Sequence, residues 1–262
     1  MLLKNRLAKH KKLEIIKEYL VETKSKEIKT KKSKTTLQYS LAVIDEFQNY
    51  LPAQLQIIKS CIDEKNKSIL YVWDIAQQVQ LGTIKHWQEI NENIDQSHQV
   101  VLNKVYRNTK NILSFIQKIG YPIELPESLK DGPAVAEIIT SSPEEEIAYI
   151  QKTLAKSEFR SIGIITKEQD YLAKFKNTFS AQEKIHIMTM DEAQGVEFDI
   201  VFLVGINNEL FTINYTHEIS HDFRKEKERI NKDLLYIALT RAISELHILG
   251  KDKLKIFYSQ SK

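Results

Sequence analysis

"IHIMTMDEAQGVEFDIVFL", residues 185–203, sets two apolar runs on either side of a polar turn that contains one glycine. Each run is short and almost continuously apolar, which suits a strand of a parallel sheet covered on both faces better than a strand wetted on one side. Working outward, the same character recurs in "LAVI" (41–44), "SILYVW" (68–73), "SIGIIT" (161–166) and "ELHIL" (245–249), and the second of the two runs continues to Gly205. Helical patterns lie between them: "PAQLQIIKSCIDEK" opens on Pro52, "NTKNILSFIQKIG" ends at Gly120, and "SPEEEIAYIQKTLAK" carries a Ser-Pro-Glu-Glu start signal. Strand alternating with helix predicts a doubly wound α/β architecture.

At 262 residues, 42 % of them hydrophobic, the chain is long enough for one large or two modest domains. A single cysteine, Cys61, excludes an internal disulfide framework and a multi-cysteine zinc site, and it fits a reducing compartment, with cytoplasm as the expectation. No apolar run approaches the roughly 20 residues of a membrane span, and the charged N-terminus lacks the apolar core of a signal peptide. The net charge of +3 is unevenly spread. Residues 1–34 hold twelve Lys/Arg against four Glu, while the remainder holds 26 bases against 31 acids. Such an arm can meet phosphate backbones or simply be a solvated tail. The strand–helix series restarts near residue 103, which predicts a basic, partly helical arm over 1–37, a first α/β segment over 38–103 and a second over 104–255. Residues 120–133 hold three of the five prolines and read as a loop.

The strand "LAVI" runs into Asp45 and Glu46. At a strand end an aspartate can hold Mg²⁺, and a glutamate beside it can orient and deprotonate an attacking water. A second strand ends at "VWDIAQQV", where Asp74 is followed by Gln77; "LNKVYRNT" carries Arg107, the opening stretch carries Gly195 and Glu197, and "LLYIALTRA" carries Arg241. Taken singly, Arg107 could cap a strand end, Arg241 could answer a helix dipole and Glu197 could be a solvated loop acid.

In this order the five blocks resemble motifs II to VI of the superfamily I helicases of the UvrD/Rep type. "DEFQN" is similar to the DExQD box, "WDIAQQV" to GDxxQxI, "VYRNT" to NYRST, "TMDEAQGVEFDIVFL" to TxHxxKGLEFDxVF, and "LLYIALTRA" to LLYVALTRA. The resemblance covers roughly residues 40–250. It implies a RecA-like P-loop NTPase fold, with part of a first domain and a complete second parallel-sheet domain, and ATP hydrolysis with Mg²⁺ coupled to movement on single-stranded DNA or RNA. It also implies roles residue by residue. Asp45 holds Mg²⁺ and Glu46 is the general base; Gln77 senses the γ-phosphate at the seam between two RecA-like domains. Arg107 and Arg241 act as arginine fingers, Glu197 meets the nucleotide sugar where Gly195 lets the backbone come close, and Thr189 is a nucleic-acid contact.

The pattern breaks in several places. The family's phosphate loop, G-x-x-x-x-G-K-[ST], precedes motif II, yet the first glycine here is Gly82. Trp73 stands where motif III has glycine, and Trp87 lies beyond the usual position of its base-stacking tryptophan. Asp191 and Gln194 replace a frequent His and Lys of motif V, which removes donor character from a nucleic-acid path. About eighty residues separate Arg107 from Thr189, enough to continue an α/β core but not to hold a large helical insertion. The expectation is therefore a C-terminal helicase portion, inactive alone. Its alternative is a non-catalytic or split-gene interaction module that joins a separate chain carrying the Walker A half. "HEISH" (217–221) matches the zinc-peptidase pattern H-E-x-x-H, but Arg224 and Lys227 occupy the positions where a glycine and a third histidine would continue it.

Overall fold

A computed structural model describes residues 14–23, 26–36, 38–62, 68–74, 83–84, 86–102, 107–156, 160–211 and 220–254. The chain divides into two compact units, 1–99 and 100–262.

The first unit opens on an antiparallel hairpin, β1 (Glu14–Glu22) and β2 (Ile28–Thr36), in continuous register from Glu14 opposite Thr36 to Glu22 opposite Ile28. This corrects the expectation of a partly helical arm across the described part of 1–37. Lysine and glutamate favour helices, but Ile15, Ile16, Val21, Thr30, Thr35 and Thr36 are β-branched and suit a pleated pair. The turn is closed by Lys26, in the left-handed region at φ 61°, and by Thr23, whose backbone N–H donates to Glu27 O at 2.8 Å.

After the hairpin, β3 (Leu41–Ile44) pairs in parallel with β4 (Ser68–Tyr71), joined through helix α1 (Pro52–Ser60). Proline at its first turn presets φ and gives up an N–H that no helix bond needs. Ile44, Phe47, Leu55, Ile84 and Ile90 form a small core, with Ile69, Tyr71 and Trp87 packed on it. The opposite face of the pair is apolar and open: Leu41, Val43, Leu70 and Val72 are 58, 59, 55 and 43 % exposed.

The second unit is a five-stranded, wholly parallel sheet in the order β5-β9-β8-β6-β7, formed by β5 (Ala136–Ile139), β6 (Ile162–Thr166), β7 (Ile185–Thr189), β8 (Phe198–Ile206) and β9 (Ala242–Gly250). Helices α2 (Lys110–Lys118), α3 (Pro143–Leu154), α4 (Gln169–Phe179) and α5 (His221–Thr240) cover it. On β8 the alternate residues Ile200, Phe202 and Val204 join Ile150 of α3 and Phe175 and Phe179 of α4 in one core. Val201 and Leu203, equally buried, point to the other face. Burial on both faces explains the unbroken apolar runs, each such side chain contributing about 1.5–3 kcal/mol. The stretch from Arg107 to Thr189 is spent on α2, β5, α3, β6, α4 and β7, so the second α/β domain carries no large insertion there. Its edge strand β5 and helices α4 and α5 were not marked by the sequence patterns.

No described helix is long and apolar enough to cross a membrane.

Candidate functional site

In the first unit the acidic pair sits where β3 ends. Asp45 is exposed and its Oδ1 accepts the N–H of Glu46 at 2.9 Å, while Glu46 adopts φ 51°, a left-handed conformation uncommon outside glycine. Gln48, only 3 % exposed, fixes the pair's surroundings: its amide donates to Glu46 Oε2 at 2.5 Å and its carbonyl accepts from the backbone N–H of Asp74 at 3.2 Å. One buried amide therefore ties the glutamate of the first block to the strand end of the second. Asp45 offers a hard carboxylate oxygen of the kind Mg²⁺ takes, one ligand of the several such an ion needs. An anion cradle is a different matter, because no glycine stands upstream of Asp45. Gln77 lies outside the described residues.

Trp73 and Trp87 belong to one aromatic cluster. Trp87 stacks on Phe47 with ring centroids 5.1 Å apart and 15° between planes, and meets Trp73 edge-on at 4.9 Å. Trp87 thereby spends one ring face on the core.

In the second unit three separated blocks meet at the end of the sheet where its interior strands β8 and β9 begin. Arg107 forms an ion pair with Glu197, just before β8. Asn108, 2 % exposed, donates through its amide to Thr240 O at 2.9 Å and Ala242 O at 2.6 Å. Thr109 N–H donates to Ile243 O at 3.2 Å. Arg241, 5 % exposed at the end of α5, donates from Nε to Ile237 O at 3.1 Å, from Nη1 to Val196 O at 3.2 Å and from Nη2 to Thr240 Oγ1 at 3.2 Å. Gly195 holds φ 80°, and a Cβ added to it would meet no atom within 4 Å, so the backbone there faces open space.

Thr189 closes β7 with 5 % exposure, and its N–H donates to Glu192 Oε2 at 3.0 Å. That placement supports the turn after β7 more directly than it presents a hydroxyl to a polynucleotide. The zinc pattern gains no support: His217 and Glu218 lie outside the described residues, and His221 begins α5 immediately after Ser220 caps it, its Oγ accepting from Phe223 N at 3.3 Å. Among the described residues no cluster of three or more His, Cys, Asp or Glu could hold a metal ion.

A family model, the UvrD-like helicase C-terminal domain, matches residues 6–252. The chain belongs to that family. Among curated relatives, the ATP-dependent DNA helicase PcrA of Staphylococcus epidermidis is 34 % identical over 170 residues, which cover 57 % of this chain and 23 % of the relative. The probable DNA helicase II homolog of Mycoplasma pneumoniae is 24 % identical over 194 residues, 65 % of this chain and 26 % of the relative. The chain thus spans about a quarter of the length of the curated relatives it matches. Among solved structures, the C-terminal domain of a possible DNA helicase from Lactobacillus plantarum aligns with a TM-score of 0.42 and 19 % identity over 60 % of this chain and 94 % of that one.

Within this UvrD-like domain the sequence motifs missed two residues, one in each unit, that organise the blocks around them. Gln48 and Asn108 stand inside the quoted blocks, and their amide side chains are the signal that could have found them: a buried Asn or Gln must satisfy donors and acceptors, so it bridges backbone segments.

Proposed function

We propose that this chain is the C-terminal portion of a superfamily I, UvrD-like ATP-dependent DNA helicase that couples ATP hydrolysis to translocation on single-stranded nucleic acid, and that it does not hydrolyse ATP alone. The observation that carries the reading is the convergence of Arg107, Asn108, Val196, Glu197 and Arg241 at the end of the sheet where β8 and β9 begin, because the fingers and the sugar-contacting glutamate expected of such an enzyme come from these blocks. Asp45 would hold Mg²⁺, which on binding supplies charge neutralisation at the phosphates. Glu46, oriented by Gln48, takes the proton of the attacking water, and Gln77 senses the terminal phosphate. Arg107 neutralises charge on the transferring phosphoryl group, and Arg241 does so on giving up its contacts with Val196 O and Ile237 O; Glu197 meets the sugar, and Gly195 leaves room for it.

No glycine precedes Asp45 within this sequence, and Asp45 and Glu46 act on a phosphate only where a loop beside them holds it, which supports inactivity of this stretch by itself. A second reading, a non-catalytic module that docks a separate chain bearing the Walker A half, is favoured by the open apolar face of β3–β4, since parallel strands are ordinarily covered on both sides.

The test is ATP hydrolysis with and without single-stranded DNA, by the chain alone and mixed with the P-loop half of the Staphylococcus epidermidis relative. Background turnover alone and DNA-stimulated turnover on mixing, lost with Glu46→Gln, is the expected result. Turnover by the chain alone that Glu46→Gln abolishes contradicts the inactivity. Complex formation with no turnover selects the second reading.

A further inference from the structure

The register of the hairpin sorts its charges by face. Side chains alternate across a strand, so Lys17, Tyr19 and Val21 of β1 share one face with their cross-strand partners Ser33, Lys31 and Lys29 of β2. The other face carries Ile16, Glu18, Leu20 and Glu22 opposite Lys34, Lys32, Thr30 and Ile28. Glu18 and Lys32 are ion-paired at 2.5 Å, so on that face lysine is answered by glutamate. The first face has three lysines and no acid. Tyr19 stands among them, 46 % exposed and directly opposite Lys31. Glu27, in the turn, lies 3.4 Å from Lys29, but both side chains are about two-thirds exposed and such a pair is weak and screened.

We infer that the face formed by Lys17, Tyr19, Lys29 and Lys31 binds single-stranded nucleic acid, the lysines meeting phosphates and the Tyr19 ring stacking on an unpaired base. Lys29 and Lys31 are two residues apart on one strand, about 7 Å, a spacing that lets neighbouring ammonium groups track an extended backbone. An exposed aromatic ring between cations is the arrangement by which proteins hold unpaired strands without regard to sequence. A duplex partner fits less well: its bases are stacked and paired, so they offer no free face for the Tyr19 ring to stack on. The inference takes its class of partner from the proposed function but not its surface, because none of these residues belongs to the nucleotide motifs.

The experiment uses the full chain, with no nucleotide present, and a fluorescent oligothymidine of about 20 nucleotides titrated at several salt concentrations. Lys29→Gln/Lys31→Gln and Lys32→Gln/Lys34→Gln remove equal formal charge from the same strand, on opposite faces. The first pair is expected to weaken binding and to reduce the slope of log affinity against log salt by about 1.4, that is, about 0.7 for each phosphate no longer neutralised by a lysine. The second pair should leave the slope unchanged, and Tyr19→Ala should weaken binding about fivefold or more with the slope intact. Equal losses from both lysine pairs, no binding by the unmodified chain, or equally tight binding of a duplex of the same length would each overturn the inference. Hydrolysis is not read in this experiment, so a chain that binds through this face and never supports ATP turnover leaves the inference standing and the proposed function refuted.

Discussion

Arg107 and Glu197, 90 positions apart in sequence, are joined by an ion pair at the end of the parallel sheet where its central strand β8 begins. The arginine side chain is 71 % exposed and the glutamate 30 %, so the pair lies at the surface, where water and salt screen it. Its value is positional. It holds the guanidinium on Glu197, two residues along the chain from Gly195.

For stability, a double-mutant cycle with Arg107→Gln and Glu197→Gln is therefore expected to give a coupling of about 0–1 kcal/mol by denaturant unfolding, shrinking as salt is raised. A coupling of several kcal/mol would show that the pair is a structural tie rather than a solvent-facing arrangement.

Arg241 and Asn108 behave differently because they are buried. Removing the Arg241 guanidinium leaves Val196 O without this donor, and removing the Asn108 amide does the same to Ala242 O and Thr240 O. Arg241→Ala and Asn108→Ala should each cost about 1–3 kcal/mol in urea unfolding. Arg241→Lys should recover little, since an ammonium on a flexible stem cannot reproduce the planar fork. Any turnover lost with Arg241→Ala must accordingly be compared with its folded fraction.

Glu146 of α3 is 1 % exposed and accepts from Thr140 Oγ1 at 3.1 Å, Tyr171 OH at 3.2 Å and Gly205 N at 3.1 Å. Burial pushes its carboxyl up from 4.5 to about 7, against the lowering effect of those three donors. The folded state then holds a proton that the unfolded chain has released, so this group makes stability fall as pH rises from 4.5 to about 7. The loss is at most about 3 kcal/mol. Glu146→Gln, neutral throughout, should show stability relative to the unmodified chain that grows across that window and is flat on either side, measured by unfolding at a series of pH values. A difference independent of pH would contradict the raised carboxyl.

Two glycines separate crowding from backbone strain. A Cβ on Gly250 would sit 1.9 Å from Ile206 O, a backbone atom that cannot swing away, whereas a Cβ on Gly195 would meet nothing within 4 Å but must accept φ 80°. Gly250→Ala should cost about 3 kcal/mol or more by thermal unfolding, and Gly195→Ala about 1–2 kcal/mol. The reverse ranking would contradict both the crowding at Gly250 and the open space at Gly195.

Much of the second unit was legible because its strands are buried on both faces and its helices are amphipathic, so apolar runs and capping signals coincide with β6, β7, β8, α2 and α3. β5 escaped because four residues at a sheet edge, paired only with β9, leave no period to read. The hairpin was misjudged because lysine and glutamate carry helix propensity wherever they stand, while the pairing that overrides it is made across a turn.

The sequence by itself determined the parallel α/β class, the family blocks and the residue types able to carry phosphate chemistry, because those depend on local pattern and spacing along the chain. Tertiary structure alone decided that Arg107 answers Glu197, that Gln48 holds Glu46, that Arg241 is buried against Val196, and which face of the hairpin is cationic. Each of these is a contact or a register between segments that only folding brings together, set by how strands pair and which strand ends lie side by side.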